Sequence, residues 1–305
     1  MDNIILIVGP TGVGKTSSSL ETAKKIDGEI ISADSMQIYK EMDIGTAKIM
    51  AFEMEDIPHH LIDIINPDEE FSVRDFDEMS DIAINDIISR SKTPIIVGGT
   101  GLYINSIIYD MDYNESDIDI ALRKELWDFY EKNGEDELYN MLLKYDSEAK
   151  VEKQNIKRVI RAIEIAKNHG KVKAFSEMKF KNKYKINMFV LCKDRAILYE
   201  MINKRVDYMI NNGLVEEVKE LLAKGLSKEC QSMKAIGYRQ IISYLEGEYD
   251  LKTAVDIIKR DSRRYAKRQL TWFKRYENAI WIDVDSLDPK QVAEIIINES
   301  GLIDK

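Results

Sequence analysis

The chain has 305 residues, is 44% hydrophobic and carries a formal net charge of −10, which is typical of a globular protein with one large or two modest domains. No apolar run approaches the roughly 18 residues that a membrane span needs, and the N-terminus lacks the features of a secretory signal, so we expect a cytoplasmic protein without a membrane partner. Only two cysteines occur, Cys192 and Cys230, which argues against a disulfide framework or a zinc site.

Short apolar runs bounded by turn residues predict six strands, at residues 4–8, 29–32, 59–65, 94–99, 186–192 and 279–284. Helix-period segments lie between some of them, for example at residues 16–25 and 73–90. Strands that are continuously apolar and alternate with helices indicate a parallel sheet covered on both faces. We therefore predict an α/β fold, with a P-loop NTPase-like parallel sheet flanked by helices.

Residues 112–185 interrupt this alternation and predict an all-helical insertion domain. The segment has no convincing strand pattern and contains helical patterns at residues 120–132, 135–144 and 155–169. Residues 1–111 and 186–305 would then form the catalytic core. Further helices are predicted in the second part of that core, at residues 198–211, 215–224, 237–246 and 251–276.

A phosphate-binding loop is predicted directly after the first strand. The sequence GPTGVGKT matches the pattern G-x-x-x-x-G-K-[ST] in its required place between a strand and a helix. The predicted diphosphate-binding residues are Gly9, Pro10, Thr11, Gly12, Val13, Gly14, Lys15 and Thr16. Glycines let the backbone N–H groups turn toward a phosphate, and the helix N-terminus adds partial positive charge. Lys15 can reach the outer phosphate, and the Thr16 hydroxyl can coordinate Mg²⁺.

Asp34 follows the second strand and would reach the same edge of a parallel sheet as the phosphate loop. A carboxylate beside a bound phosphate must hold a metal ion or accept a proton, so Asp34 is a candidate functional residue. A GTPase or motor ATPase would carry a strand-end Asp and a water-orienting side chain, and a small-metabolite kinase would carry an Arg-rich lid. The sequence shows none of these patterns clearly, so the loop alone leaves the reaction open.

The basic residues are segregated in two segments. Residues 150–185 contain twelve Lys and Arg against three Glu, and residues 252–275 contain nine against two Asp, although the whole chain is acidic. Segregated positive charge is typical of a protein that binds a polyanion such as nucleic acid. Charge runs also occur on ordinary solvated helix faces, and charge alone does not decide between the two.

Six motifs in order resemble one enzyme family. GPTGVGKT, SADSMQIYKEMDIGTAK, PHHLID, GGTGLYI, KAIGYRQ and RRYAKRQLTWFKR together are similar to the bacterial tRNA dimethylallyltransferases, also called tRNA isopentenyltransferases. The resemblance runs from residue 4 to about residue 275. It departs from many members at Met36, where they have Arg, and at Val13, where they have Ser.

The resemblance implies transfer of a dimethylallyl group from dimethylallyl diphosphate to N6 of the adenosine 3′ of the tRNA anticodon, with Mg²⁺ as cofactor. It implies catalytic roles for Asp34 as base, Thr100 as its partner, and Lys15 and Arg205 at the leaving pyrophosphate. The implied contacts to the tRNA anticodon stem-loop are Asp34, Ser35, Met36, Gln37, Thr100, Arg123, Lys157, Arg158, Val159, Ile160, Arg161, Lys234, Gly237, Tyr238, Arg239, Arg268 and Gln269. Helical spacing alone places Ile160 and Ile163 in a core. We expect a monomer.

A phosphate loop is also compatible with three other functions: a small-molecule P-loop kinase, a prenyltransferase acting on free adenine nucleotides, and a non-enzymatic RNA-binding P-loop switch. The basic segments disfavour the first two, whose substrates need no polyanion platform. Asp34 and the lack of a recognisable hydrolysis apparatus disfavour the third.

Overall fold

A computed structural model describes residues 1–111, 119–170 and 177–302, apart from the side chain of residue 169. The chain divides into a sheet unit, formed by Met1–Ile108 and Asn182–Lys305, and a helical unit, Tyr109–Lys181. The insertion predicted at residues 112–185 lies close to the bounds of the helical unit. Two lysines of the predicted basic segment, Lys171 and Lys173, lie outside the described residues.

The sheet unit contains a six-stranded parallel sheet, as the apolar runs predict. Its strands are β1 (Asn3–Val8), β2 (Gly28–Ala33), β3 (His59–His60), β4 (Thr93–Gly98), β5 (Lys185–Cys192) and β6 (Ile280–Asp283). They lie in the order β3-β2-β4-β1-β5-β6, and all neighbouring pairs are parallel. β3 is shorter than the predicted run because Leu61 and Asp63 adopt positive φ values of 60° and 54°, which end an extended strand.

The helices of the sheet unit are α1 (Lys15–Ile26), α2 (Val73–Ser89), α3 (Gly101–Ile108), α6 (Arg195–Asn211), α7 (Leu214–Ala223), α8 (Tyr238–Leu245), α9 (Leu251–Phe273) and α10 (Pro289–Ser300). Those of the helical unit are α4 (Ile120–Tyr145) and α5 (Ile156–His169). The predicted helices are confirmed within a few residues at each end. α3 and α10 were not predicted: α3 has only eight residues, too few for a clear helical period.

Strand register brings three strand ends to one point. Val8 of β1 and Ala33 of β2 both lie opposite Gly98 of β4, so the segments that follow these strands leave the sheet side by side. The three strands β1, β2 and β4 are almost wholly buried, and Ile5, Ile95 and Phe189 are fully inaccessible. A rigid sheet thereby holds the phosphate loop and the segment that begins at Asp34 next to each other.

The helical unit has a core of its own. Gly134, with φ 83° and ψ 177°, divides α4 into two helical segments, close to the two predicted from the sequence. Leucines of both segments pack against the apolar face of α5, which includes Val159, Ile160 and Ile163. No helix among the described residues is long and apolar enough to cross a membrane.

A buried carboxylate joins elements at the amino ends of the strands. Glu29 of β2 is 1% exposed and accepts hydrogen bonds from Arg90 at both oxygens. His60 Nε2 lies 2.8 Å from Glu29 Oε2, and Lys92 Nζ lies 3.3 Å from Oε1. The pKa of Glu29 is lowered to about 2, and the hydrogen bonds from Arg90 are the largest cause. Glu29 is therefore ionised in the folded protein under nearly all conditions.

We expect Glu29→Gln to lower the free energy of unfolding at neutral pH by about 2 kcal/mol, because charge-assisted hydrogen bonds are lost. The folded pKa lies below the ordinary value of 4.5, so this stabilisation is complete above that value and is lost as the pH falls toward 2. Urea unfolding of both proteins at neutral and acidic pH measures it. A deficit that stays constant as the pH falls would contradict the linkage.

Candidate active site

The phosphate loop lies between β1 and α1 and depends on its glycines. Gly12 and Gly14 have φ values of 81° and 104°, in the left-handed region that other residues avoid. A side chain at Gly9 would place its Cβ 2.6 Å from the carbonyl oxygen of Leu191. The loop thus follows a path that only glycine permits at these positions and leads into the N-terminus of α1, where anions are favoured.

The remaining loop residues have distinct positions. Thr11 and Thr16 line an open cleft above the loop. Val13, the departure noted above, is 2% exposed and packs in the core of the sheet unit. Its side chain therefore supports the loop from below. Pro10 contributes a carbonyl oxygen that accepts a hydrogen bond of 2.9 Å from Lys15.

Lys15 is buried among loop carbonyls, near one negative and one positive side chain. Its Nζ also donates to the Gly9 carbonyl at 3.0 Å, so the loop itself holds the ammonium beside the anion site. Desolvation lowers the pKa of Lys15 to about 8; the negative charge of Asp34 opposes the shift, and the positive charge of Arg205 adds to it. The ammonium is therefore less stable here than in water until an anion arrives.

Asp34 begins the segment after β2. Its Oδ1 accepts the backbone N–H of Met36 at 2.9 Å, which fixes the carboxylate in a turn. Next to it, the backbone N–H of Ser35 donates to Thr100 Oγ1 at 3.0 Å, and the Ser35 and Thr100 hydroxyl oxygens lie 3.3 Å apart. Thr100 itself follows β4. The predicted base and its predicted partner thus lie on adjoining segments joined by hydrogen bonds.

Gln269 of α9 ties the phosphate loop to the segment after β4. Its side-chain oxygen accepts the N–H of Thr11 at 2.9 Å, and its amide nitrogen donates to the carbonyl of Gly99 at 2.9 Å. The side chain is 6% exposed, and both ends of its amide are engaged within the protein. The structure therefore revises the predicted tRNA contact: Gln269 acts as a brace between two site loops.

Arg205 of α6 approaches the same cleft. Its Nη2 donates to the carbonyl oxygen of Thr46 at 3.4 Å. Burial lowers the pKa of Arg205, and the charge of Asp34 opposes that shift. The Gln37 side-chain amide contacts the same segment of the chain as Arg205: it donates to the carbonyls of Thr46 and Ala47 at 3.5 and 3.4 Å. Gln37 thus holds the segment that in turn holds Arg205.

Two adjoining clefts meet at these residues. The larger, here the phosphate cleft, has a volume of about 1130 Å³ and contains the phosphate loop. The smaller, the second cleft, has a volume of about 320 Å³. Residues that line both are Thr11, Asp34, Thr46, Arg205, Met209 and Tyr265. A molecule in one cleft and a molecule in the other would therefore meet beside Asp34.

Basic residues surround the second cleft. Lys234, Arg239 and Arg268 line it, together with Ser35 and Met36. Each of the three cations is exposed. Lys234 and Arg239 form ion pairs with neighbouring carboxylates at 3.2 and 3.0 Å, and the Arg268 guanidinium lies over the ring of Tyr265 at 5.6 Å. The protein as a whole is acidic, with a net charge of −10. Three exposed cations at one cleft therefore favour an anionic partner there.

The helical unit presents a second basic surface. Lys157 and Arg158 are exposed on α5. Arg123 and Arg161 both donate to Oε2 of Glu164, at 2.8 and 2.6 Å, and that glutamate is 1% exposed. One buried carboxylate therefore holds two of the predicted tRNA-binding arginines at fixed places.

Four other predicted tRNA contacts have side chains or backbone inside the protein. Val159, Ile160 and Tyr238 are at most 2% exposed, and Gly237 is buried. The prediction of direct contact is corrected for the three side chains, since burial leaves an RNA no access to them. Spacing had already placed Ile160 in the core. The three buried side chains instead anchor the helices that carry the exposed cations Arg158 and Arg239.

Sequence reasoning missed three residues at the site: Lys48, Glu217 and Tyr265. Lys48 Nζ is buried and contacts the Tyr39 carbonyl and the carboxylates of Asp43 and Asp63 at 2.7, 2.6 and 2.5 Å. Lys48 stands in the GTAK motif, which offered a signal. Tyr265 stands in the motif RRYAKRQLTWFKR, which offered a signal too. Glu217 stands in an ordinary helical pattern and offered none.

A parallel sheet, a phosphate loop after its first strand and a carboxylate facing that loop define a P-loop protein whose cleft can hold a phosphorylated substrate against an acceptor. Residues 37–276 match the family described as IPP transferase. The chain belongs to this family.

Similar proteins can be aligned with this chain over nearly its whole length. A tRNA dimethylallyltransferase of Alkaliphilus oremlandii is 50% identical over 97% of this chain and 96% of its own. The crystal structure of a tRNA isopentenylpyrophosphate transferase from Bacillus halodurans is 42% identical, covers 99% of this chain and 97% of its own, and has a TM-score of 0.75. A eukaryotic dimethylallyltransferase studied crystallographically acting on tRNA is 29% identical, with a TM-score of 0.82 over 97% of this chain and 78% of its own.

Proposed function

We propose that the protein transfers the dimethylallyl group from dimethylallyl diphosphate to N6 of the adenosine 3′ of the anticodon in tRNA and releases pyrophosphate. The observation that carries the proposal is the position of Asp34, which lines both the phosphate cleft and the basic second cleft. The names of the relatives, tRNA dimethylallyltransferase and tRNA isopentenylpyrophosphate transferase, support it.

The diphosphate would lie in the phosphate loop. Backbone N–H groups of the loop, the N-terminus of α1 and the Lys15 ammonium all favour an anion there. Arg205, which lines the same cleft, adds a second cation. As the bond between C1 and the bridging oxygen breaks, its electron pair goes to the pyrophosphate, and these cations stabilise the growing charge.

The residues at the loop fit a Mg²⁺ ion. Thr16 lines the phosphate cleft, and its hydroxyl offers the kind of oxygen ligand that Mg²⁺ prefers. Mg²⁺ usually keeps several waters and binds substrate phosphates together with one or two protein oxygens, so a single hydroxyl beside a bound diphosphate fits it. When bound, the ion would add positive charge next to the departing pyrophosphate.

The acceptor adenosine would enter through the second cleft. An anticodon-loop base can reach Asp34 only if it leaves the stack, so it must be flipped out. N6 then attacks C1, the N6–C1 bond forms, and the N6 proton goes to Asp34. Thr100 and the backbone at Ser35 and Met36 adjoin the carboxylate and can hydrogen-bond the adenine edge.

The helical unit would bind the tRNA backbone. Lys157 and Arg158 are exposed, and Arg123 and Arg161 are fixed by Glu164, so the surface can meet phosphates without first ordering all its side chains. Lys234, Arg239 and Arg268 would contact the RNA near the second cleft. A monomeric state and a cytoplasmic location stay predictions.

Incubation with radiolabelled dimethylallyl diphosphate and bulk tRNA tests the proposal. We expect label in tRNA, with none transferred to AMP or ATP offered as acceptors. Label in AMP would indicate a free-nucleotide prenyltransferase. Phosphate transfer from labelled ATP, without prenyl transfer, would indicate a kinase.

We expect the double variant Arg158→Ala/Arg161→Ala to bind tRNA more weakly and with a weaker dependence on salt. Each phosphate contact contributes about 0.7 to 0.9 to the slope of log K against log salt concentration, so its magnitude should fall by about 1.5 if both arginines contact phosphates. Filter binding at several salt concentrations measures the slope.

A matched control removes the same charge elsewhere. Lys204 and Lys219 are exposed on α6 and α7, each beside a glutamate, and Lys204→Ala/Lys219→Ala should leave the slope unchanged. The affinity for dimethylallyl diphosphate should be normal in both double variants. An unchanged slope in Arg158→Ala/Arg161→Ala would mean that the α5 cations form only a solvated face.

A further inference from the structure

Glu217 holds an otherwise irregular segment of the chain by its backbone. Its Oε2 accepts the N–H groups of Asp43 and Ile44 at 2.9 and 2.7 Å, and its Oε1 accepts that of Gly45 at 3.1 Å. The Tyr238 hydroxyl donates to Oε1 at 2.5 Å. Four donors thus converge on one carboxylate, which charge makes a much stronger acceptor than a neutral group.

Tyr238 completes this clamp, which we define as Glu217, Tyr238 and the backbone of residues 43–45. The Tyr238 side chain is fully buried, and a Cβ at Gly45 would collide with its ring. Burial and the nearby charge of Glu217 raise the pKa of Tyr238, so its hydroxyl keeps the proton that it donates. The segment is therefore seated on a rigid ring and tied by a carboxylate.

The clamped segment forms the wall that orients Arg205. Asp43, Ile44 and Thr46 line the phosphate cleft, and the Thr46 carbonyl, one residue beyond the clamp, accepts the hydrogen bond from Arg205. A long arginine side chain loses considerable rotamer entropy when it is ordered. A carbonyl held at a fixed place reduces that loss when the anion binds.

Other contacts hold the same segment at different points. Lys48 binds Asp43 at its side chain, and Gln37 binds the Thr46 and Ala47 carbonyls. Only the clamp, among the described residues, holds the N–H groups of residues 43–45. Loss of the Glu217 charge would therefore leave the segment attached through its carbonyls and through Lys48, with the N–H groups of residues 43–45 no longer held. The backbone that carries the Thr46 carbonyl could then shift relative to Arg205.

We propose that Glu217 is a positioning residue for prenyl transfer, which acts through residues 43–46 to hold Arg205 at the leaving pyrophosphate. The proposal rests on the role proposed above for Arg205. Neither Glu217 nor Tyr238 needs to touch the substrates for this purpose.

Glu217→Gln tests the proposal, because the amide keeps the size of the side chain but offers one acceptor atom in place of two. We expect kcat for prenyl transfer to fall by about 10- to 100-fold, the scale of a small misplacement of a charged group, and the affinity for inorganic pyrophosphate to fall with it. The Kd for tRNA should stay unchanged. Calorimetric titration with pyrophosphate and single-turnover kinetics measure the two effects.

A double-mutant cycle with Arg205→Ala separates positioning from general support. If Glu217 acts through Arg205, Glu217→Gln should change kcat little once Arg205 is absent. Glu29→Gln, which removes a buried carboxylate at the opposite ends of the strands, is the matched control and should leave kcat unchanged in either background. Tyr238→Phe, which keeps the ring and removes one donor, should cause a smaller loss with the same dependence on Arg205.

Additive losses for Glu217→Gln and Arg205→Ala would overturn the inference, as would a normal pyrophosphate affinity in Glu217→Gln. If Glu217→Gln fails to fold, the cycle with Tyr238→Phe decides in the same way. Normal turnover in Arg205→Ala would instead refute the proposed role of Arg205.

Discussion

Asp34→Asn is expected to lower kcat by about 10² to 10⁴, the usual loss when a general base is removed. Asparagine has the same shape and can still accept the Met36 N–H through its side-chain oxygen, so the turn after β2 should persist. The amide cannot take the N6 proton. Binding of dimethylallyl diphosphate and tRNA should therefore survive, and single-turnover transfer should show the loss.

One secondary effect of Asp34→Asn can be anticipated. The charge of Asp34 raises the pKa of Lys15 against desolvation, so its removal lowers that pKa further. Rates should be compared at slightly acidic pH, where Lys15 stays protonated. Glu55→Gln removes the same charge from a residue that also lines the phosphate cleft and should be nearly normal. Near-normal turnover of Asp34→Asn would refute its assignment as base.

Local patterns were enough to predict much of the fold. Each predicted run contains an observed strand, because continuously apolar runs between turn residues are typical of strands buried on both faces of a parallel sheet. The phosphate loop was equally clear, since its glycines and Lys15 act through backbone geometry within eight consecutive positions. Position at a strand end was enough to predict that Asp34 lies in the same cleft as the phosphate loop; its role as base stays a prediction.

The contacts that join the loops of the site could not be read from the sequence. Gln269 binds Thr11 across 258 positions of the chain, and Glu217 binds Asp43 across 174. Neither pair leaves a local period or spacing, and their helices look amphipathic for ordinary reasons. Tyr238 shows the opposite error: it lies in a motif next to exposed cations, and only the structure shows its ring facing inward.

Lys15→Ala is expected to lower kcat/KM for dimethylallyl diphosphate by about 10² to 10³, the usual loss for one charged or polar group that stabilises a developing anion. The residue touches the loop that would hold the diphosphate, and no tRNA contact is proposed for it. The Kd for tRNA should therefore stay normal. Lys24→Ala on the same helix removes an exposed lysine paired with Glu21 and Glu55 and serves as the control.

The pH dependence gives a sharper test of Lys15 than the size of the loss. Its pKa of about 8 in the free protein means that the ammonium loses its proton as the pH rises through that value. Since the anion prefers the protonated form, kcat/KM should fall above about pH 8 and be level below it. Lys15→Arg keeps the charge at high pH and should abolish this fall, even if it lowers the plateau. A fall that persists unchanged in Lys15→Arg would assign the titration to another group and remove the support for a desolvated lysine at the leaving pyrophosphate.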